Sequence, residues 1–454
     1  MPPSVDPLHA SALSAEEIVR LCKRHTIFEW SAQAAVAPLT MARAKGVFFW
    51  DAKGKRYLDF NSQLMCVNIG HGDERVIAAI KEQADRLLYA GPSIATEPRA
   101  RLGQMLAELA PGDLNKAFFT LGGAESNENA IRIARLVTGR HKIIARYRSY
   151  HGGTAGAATI TGDPRRFGAE PGIPGVCRVL DPYPYRCGFC QDKPGCTLQC
   201  LRHVEEVVQF EGPQNIAAIL METVTGTNGI IIPPDGYLRG LRELCDRHGI
   251  LLILDEVMSG FGRTGKWFAT EHWQVVPDLM TVAKGLTSSS LPLGAVLMRD
   301  RIAAYFEDHL FYGGLTYNSH PMSCAAAIAT LKVYQEDGLV ENAAKQGRVL
   351  ERSLRALKEK HPSVGDVRSI GLFSILELVK DRATREPLVP YNARPDQLGV
   401  MNKVNAFLRE RGVYTLVRWN NVFVNPPLCI TEEQLLEGLS IVDQALEIAD
   451  QAMA

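Results

Sequence analysis

From about Ala78 to Tyr334, short runs rich in Val, Ile and Phe alternate with longer segments of helical period. KAFFT (Lys116–Thr120), HKIIARY, AAILME, ILLILDE and DLMTVAK read as strands, and SNENAIRIARLV (Ser126–Val137) reads as a helix. Strands separated by helices are joined by crossovers, so they run parallel and need cover on both faces. The period therefore predicts an α/β domain over residues 78–334, a mostly parallel sheet between helical layers. The flanks have a different rhythm. GVFFWDAKGKRYLDFNSQ reads as a hairpin with a Lys-Gly turn, and VRSIGLFSILELV (Val367–Val379) and YTLVRW/NVFVNPP (Tyr414–Pro427) read as antiparallel strands. Thr431-Glu-Glu-Gln434 supplies a capping-box signal for a last helix. A smaller α+β domain is thus expected from both chain ends, residues 1–77 and 335–454.

Bulk properties exclude several classes. Lys plus Arg and Asp plus Glu both number 50, so net charge draws the chain neither to nucleic acid nor to an anionic membrane. With 46% hydrophobic and 22% charged residues the balance is that of an ordinary folded protein. No apolar run approaches the ~20 residues of a spanning helix, and MPPSVDPLHASALSAEE lacks the basic-then-apolar pattern of a secretory signal. A cytoplasmic setting is expected.

ILLILDEVMSGFGRTGKW (Ile250–Trp267) imitates a nucleotide site, with an aliphatic strand ended by Asp255-Glu256 and then Gly260-Phe-Gly-Arg-Thr-Gly265-Lys266. A phosphate loop lies between a strand and a helix and has Ser or Thr after its lysine. Here the loop follows the acids of the same strand, and the next residue is Trp267. NTP hydrolysis is therefore set aside. The geometric part remains: the carboxyl ends of parallel strands are where ligands bind, and an acid buried there must find a donor or a cation.

The other strand ends are read in the same way. After KAFFT come Leu121-Gly122-Gly123-Ala124 and a helix, an anion site built from backbone N–H groups. Tyr150 stands beside the turn His151-Gly152-Gly153, Glu222 closes AAILM, and Lys284-Gly285 closes DLMTVA. Singly, each has a plainer reading as turn, packing or solvated residue. Together they furnish a phosphate cradle, an aromatic face, two carboxylates and a lysine, the equipment for pyridoxal 5′-phosphate. The lysine forms a Schiff base with the cofactor aldehyde and later moves the substrate proton, and an acid keeps the pyridine nitrogen protonated.

LDEVMSGFGRTGKWFATEHWQVVPDLMTVAKGL closely resembles the signature of the class III pyridoxal-phosphate aminotransferases, and the likeness extends over nearly the whole chain. It implies a fold-type I enzyme. It places the pyridine partner at Asp255, a ring-face contact at Val257 and the cofactor lysine at Lys284. SYHGGT supplies the stacking Tyr150, METVTG the acid Glu222, and FFTLGGAESNENAIRIAR the phosphate turn with Gly123 and Ala124. GGLTYNSHPMSCAAA resembles the segment that reaches across a dimer, so Thr316 is expected to hold the neighbouring subunit's phosphate, in a homodimer or a tetramer of dimers. The family usually has Ser or Thr where this chain has Ala124, which removes one phosphate hydrogen bond.

Related scaffolds carry transaminases, an aminomutase, racemases and a decarboxylase. Transamination is the commonest outcome and is the expectation. METVTGTNGIIIPPDGY and VRWNNVFVNPP look most like taurine–pyruvate and omega-amino-acid–pyruvate transaminases. The expected partners are therefore an amine donor and a keto-acid acceptor, pyruvate by preference. Arg418 in the C-terminal hairpin is the candidate for the acceptor carboxylate, since a guanidinium binds such groups bidentately. Its plainer reading is a surface arginine. Phe28, Trp30 and Met65 line either the pocket or the core.

Of ten cysteines, four crowd into YRCGFCQDKPGCTLQC: Cys187, Cys190, Cys196 and Cys200, spaced C-x2-C-x5-C-x3-C. Four thiolates can hold structural zinc. The insertion is short and the compartment reducing, so free thiols without metal are the first expectation, zinc the second and a disulfide the third.

Overall fold

The computed structural model describes residues 13–190 and 195–453. The start of the chain, on which the leader expectation rests, and the tip of the cysteine loop at 191–194 lie outside the described residues. The central element is a seven-stranded sheet: β1 Lys116–Thr120, β2 Lys142–Arg146, β3 Val176–Val179, β4 Ile216–Glu222, β5 Leu251–Asp255, β6 Leu279–Val282 and β7 Gly294–Met298. Its order is β1-β7-β6-β5-β4-β2-β3, and β7 alone runs against its neighbours. Every residue of β4 and β5 is buried, as strands covered on both faces require. The edge strand β3 and the antiparallel β7 have no alternating or flanking-helix signal and are absent from the sequence expectation.

Register fixes the functional edge. Glu222 of β4 pairs with Asp255 of β5, and Asp255 pairs with Thr281 of β6. Neighbours in one row point to the same face, so three polar side chains leave the carboxyl edge together. The helix Gly123–Thr138 follows β1 and buries Asn127, Ala130, Ile131 and Ala134 against the sheet. Gly139 ends it in the left-handed conformation, with φ of 65°.

The chain ends build two further sheets rather than one. Met41–Lys45, Phe48–Asp51 and Arg56–Asp59 form an antiparallel unit that Val413–Tyr414 joins in parallel. The expected Lys-Gly turn is there, with Gly54 at φ of 85°. The run read from Val367 to Val379 proves to be a hairpin, Val364–Ile370 and Phe373–Asp381, reversing at Gly371; Asn421–Val424 and Val417–Arg418 complete that sheet. The capping box of the last helix, Glu432–Asp450, forms in both directions, Thr431 N to Gln434 Oε1 at 3.0 Å and Gln434 N to Thr431 Oγ1 at 3.3 Å. A continuous apolar cluster that includes Phe60, Phe119, Tyr334, Leu376, Leu428 and Leu446 joins the ends to one flank of the central sheet.

The run that imitates a phosphate loop serves this junction. Glu256 turns away from Asp255 and is fully buried, accepting from Ser259 Oγ (2.6 Å) and from the backbone N–H groups of Ala269 and Thr270. No helix follows Lys266 before the 3₁₀ turn Ala269–His272. Arg263 is fully buried and donates to Leu372 O (3.1 Å), Pro426 O (2.6 Å), Ser62 Oγ (3.0 Å) and Asn68 Oδ1 (2.8 Å). These partners belong to segments from both chain ends. Burial pushes the guanidinium down to about 10, and no carboxylate pairs with it among the described residues. Replacing Arg263 by Met keeps the volume and strands four buried acceptors. The expected loss is roughly 2–4 kcal/mol of stability, read as an earlier midpoint in urea unfolding; an unchanged midpoint would contradict the tie.

Candidate active site

Asp255 is the centre of a fixed polar group. Its Oδ2 lies 2.7 Å from His151 Nδ1 and accepts from Asn127 Nδ2 at 2.8 Å, while Oδ1 accepts from Val257 N at 2.9 Å. Asn127 is held in turn: Thr281 Oγ1 donates to its Oδ1 at 2.8 Å, and its Nδ2 also reaches His151 O at 2.8 Å. Asn127 comes from the helix after β1 and His151 from the turn after β2, and Thr281 of β6 braces Asn127, so three elements besides β5 fix one carboxylate. His151 and Asn127 are buried, and the second ring nitrogen of His151 has no hydrogen-bond partner among the described residues. It is a buried polar atom free for a bound molecule. Sequence reasoning quoted His151 and Asn127 in their motifs but gave them no role. The signal was available, since a buried acid needs donors, His151 begins a glycine turn and Asn127 lies in the first turns of the helix at the same sheet edge.

Glu222 accepts from Tyr150 N at 3.0 Å and from Gly226 N at 2.7 Å. Burial pushes its carboxyl up, His151 counters this, and the neighbouring Asp255 adds to it. Lys284 follows β6 with φ of +42°, a conformation a long side chain adopts at some cost and one that clusters at functional sites. Its amino group makes no hydrogen bond or ion pair among the described residues. Burial holds that amine below the usual lysine range, against the opposing pull of Cys66, Asp255 and Glu222. An amine whose charged form is disfavoured in this way is better suited to act as a nucleophile and a base.

The helix Gly123–Thr138 begins without a side-chain cap. The N–H groups of its first turn, Gly123 and Ala124 among them, are donors with no intrahelical partner. The turn is tightly backed: a Cβ on Gly123 would stand 2.8 Å from Val257 Cγ1, and one on Gly152 would collide with the Ala124 methyl. Small residues are thus required on both sides of this cradle.

At the mouth stands a second polar group that sequence reasoning caught only in part. Arg418 Nη2 lies 3.2 Å from Asp163 Oδ2, and burial pushes its guanidinium down to about 10. Fully buried Asp163 also takes Arg165, through Nη2 at 2.5 Å and Nε at 3.0 Å, and Asn228 Nδ2 at 3.0 Å. Arg165 lies over the Tyr150 ring, 3.5 Å from its centroid, and Trp30 meets the same ring edge-on at 6.1 Å. Arg165 is one of two arginines in GDPRRF and has no motif to single it out. Phe28 is half-buried, with its backbone bound to the Gln33 side chain. Met65 does not line this space. It is 1% exposed and packs with Ile230, Met258, Phe373 and Phe423, because the loop's left-handed backbone turns it inward. Thr316 is exposed on the surface, and its carbonyl accepts from Tyr89. Cys187, Cys190, Cys196 and Cys200 are free thiols, and no group of three or more His, Cys, Asp or Glu among the described residues is arranged to hold a metal.

Residues 30–446 match the family model for class III aminotransferases. The chain belongs to that family. A class III aminotransferase depends on pyridoxal phosphate, and among solved structures the taurine:2-oxoglutarate aminotransferase of Bifidobacterium kashiwanohense, in complex with PLP and glutamate, is 42% identical. The two superpose with a TM-score of 0.93 over 98% of this chain and 100% of that one. The taurine–pyruvate aminotransferase of Bilophila wadsworthia is 33% identical over 96% of this chain and 98% of its own. The leucine/methionine racemase of Thermococcus litoralis is 36% identical over 95% of each chain. The fold is that of fold-type I transaminases, and no helix among the described residues is long and apolar enough to cross a membrane. The unpaired His151 nitrogen, the uncapped glycine turn and the unpartnered Lys284 amine suit an aromatic aldehyde that carries a phosphate. Lys284 should be acylated at lower pH than the exposed lysines when the apoprotein is treated with an amine reagent and mapped by mass spectrometry. A pH profile like that of the exposed lysines would remove the perturbed amine.

Proposed function

We propose that this aminotransferase moves a terminal amino group from an omega-amino acid, taurine or a simple amine to a 2-oxo acid, with pyruvate as the expected acceptor, in a ping-pong cycle. The observation that carries this reading is the mouth. Two guanidiniums, Arg165 and Arg418, share the single carboxylate of Asp163 beside the Tyr150 ring. That leaves one positive charge in excess to meet a carboxylate or sulfonate, which a guanidinium binds through paired hydrogen bonds. A taurine or omega-amino-acid donor and a keto-acid acceptor each bring such an anion.

The proposed holders of the cofactor are Asp255 for the ring nitrogen, Tyr150 and Val257 for the ring faces, Glu222 beside it, and Gly123 and Ala124 for the phosphate. Bound there, the cofactor supplies an aldehyde that takes up the amine and a ring that draws off the electrons of the breaking C–H bond. Asn127 and His151 hold Asp255 in one orientation throughout. Lys284 Nζ, whose charged form burial disfavours, would take the proton from the amine-bearing carbon and deliver it to the bound cofactor within the same half-reaction, and carry it the opposite way in the other. Arg418 and Arg165 orient the acid end of each substrate. Thr316 is proposed to serve the neighbouring subunit's phosphate in a homodimer. Its exposed setting among Leu88, Tyr89, Ile94, Tyr312 and Tyr317 fits a face that a second copy covers. A cytoplasmic setting belongs to the same proposal.

The racemase relative supports a second reading, in which the proton returns to an amino acid without any acceptor. A donor and acceptor panel separates the two. The purified protein should bleach in the visible with taurine or an amine and recover with pyruvate or 2-oxoglutarate, forming the matching amino acid. Activity with ornithine alone, or isomerisation without a keto acid, would sink the transaminase proposal.

Lys284→Ala should abolish turnover, and Asp255→Asn should lower kcat by at least about a hundredfold, near 3 kcal/mol of barrier, with unfolding midpoints little changed. Full activity in either variant would overturn the roles. Arg418→Ala should raise the KM for the keto acid by roughly ten- to a hundredfold, as loss of a charge-assisted contact predicts, and spare an apolar amine donor. Equal loss with both substrates would mean that Arg418 serves the fold.

A further inference from the structure

The cysteine loop is the largest cluster of nucleophilic side chains that the amino-transfer site does not use. Cys187, Cys190, Cys196 and Cys200 line one cavity of about 260 Å³ together with Tyr183 and Arg385. The four are not equivalent. Cys187 and Cys190 stand at C-x2-C spacing on the same cavity wall and influence each other electrostatically, and Cys190 Sγ lies 3.6 Å from Thr197 Oγ1. Cys200 is 1% exposed, and burial pushes its thiol up to about 12, which makes it inert. Cys196 is exposed. No group of three or more His, Cys, Asp or Glu among the described residues is arranged to hold a metal.

We propose that Cys187 and Cys190 are a reversible thiol-oxidation site whose co-reactant is a hydroperoxide, with Cys190 as the attacking thiolate and Cys187 as the resolving thiol. Two thiols at C-x2-C spacing, lining a cavity that admits a molecule of a few atoms, are what the reaction needs. The hydrogen bonds from Thr197 to Cys190 lower its thiol, while burial raises that of Cys187, which matches the two roles. In the first step the Cys190 thiolate attacks one peroxide oxygen. The O–O bond breaks, a proton completes the departing water or alcohol, and the sulfur, oxidised by two electrons, becomes a sulfenic acid. In the second, Cys187 attacks that sulfur, the S–O bond breaks, a second water leaves, and the disulfide forms. A small dithiol reverses the change by two exchanges and is itself oxidised.

The site has a mechanical connection to the rest of the molecule. Arg186, next to Cys187, lies 2.5 Å from Glu377 Oε1 in the strand Phe373–Asp381, and Tyr183 bonds the same carboxylate. Against its burial, Arg368 and Arg186 hold Glu377 down to about 2. Linking Cys187 to Cys190 therefore acts on a segment anchored to the C-terminal sheet.

The test treats the holoenzyme with stoichiometric hydrogen peroxide, alkylates what remains and maps the peptides by mass spectrometry. The expected result is the loss of two alkylatable thiols per chain, a Cys187–Cys190 link and full reversal by dithiothreitol. Cys187→Ser should leave a Cys190 sulfenic acid that dimedone captures, and Cys190→Ser should give neither product. Oxidation of Cys196 ahead of Cys190, or a Cys196–Cys200 link, would overturn the proposal. So would stoichiometric zinc in protein purified without added metal, with all four thiols protected.

Discussion

A carboxylate buried at the end of a central strand survives only if donors are brought to it, because an unpaired charge in a low-dielectric interior costs several kcal/mol. Asp255 is met by His151, Asn127 and the N–H of Val257. Each donor depends on a separate crossover, and Thr281 of β6 fixes Asn127 from the far side. The requirement propagates outward. The register that pairs Glu222, Asp255 and Thr281 in one row must hold across three strands, or the donors miss the acid. The full burial of β4 and β5 makes that register hard to slip, since a one-residue shift would turn Asp255 into the opposite layer and an aliphatic side chain into the site.

The two acids that end β5 divide the labour by strand alternation. Asp255 faces the site, and Glu256 faces the interior, where it caps the 3₁₀ turn at Ala269–His272. The glycine-rich run after them therefore imitates a phosphate loop for another reason. Gly262 and Gly265 allow a close approach, since Cβ atoms there would crowd Leu428 and Ala344, at 2.8 Å and 3.0 Å. Arg263, between them, reaches backbone and side-chain acceptors from both chain ends. Its bonds to Ser62 and Asn68 secure the two ends of the loop that carries Met65 and Cys66, the latter a neighbour of Lys284. A single buried guanidinium thus links the strand that delivers the acid to the segments that close over the lysine.

Lys284, Asp255 and the glycine turn at Gly123 are legible in the sequence because each sits at a change of period, where an apolar strand stops and a helix or turn begins. Met65 reads from the sequence as either pocket or core, because its place depends on backbone conformation. At φ of 53° it faces the core, and nothing in SQLMCV announces a left-handed turn without glycine. Arg165 and Asp163 are silent for the opposite reason. They lie at the start of the 3₁₀ helix Pro164–Ala169, where Asp163 is the N-cap, and only the fold brings them beside Arg418, more than two hundred residues away. Likewise β7 reads poorly because Gly294–Met298 reverses direction and has no helix in front of it.

The mouth follows from the same electrostatic rule as the centre, applied with one acid too few. Asp163 is fully buried and saturated by Arg165, Arg418 and Asn228. It cannot neutralise two guanidiniums at once. Burial already presses Arg418 toward its neutral form, and Arg165 next to it presses the same way. An incoming anion relieves that tension, whereas an uncharged amine leaves it in place. A site that must accept both kinds of end group in turn gains from an arginine whose resting partner is shared: Arg418 has a single contact of 3.2 Å to Asp163, against the shorter, two-pronged hold of Arg165. Under the proposed function, Arg165 is therefore the fixed wall over Tyr150 and Arg418 the side chain that exchanges its partner.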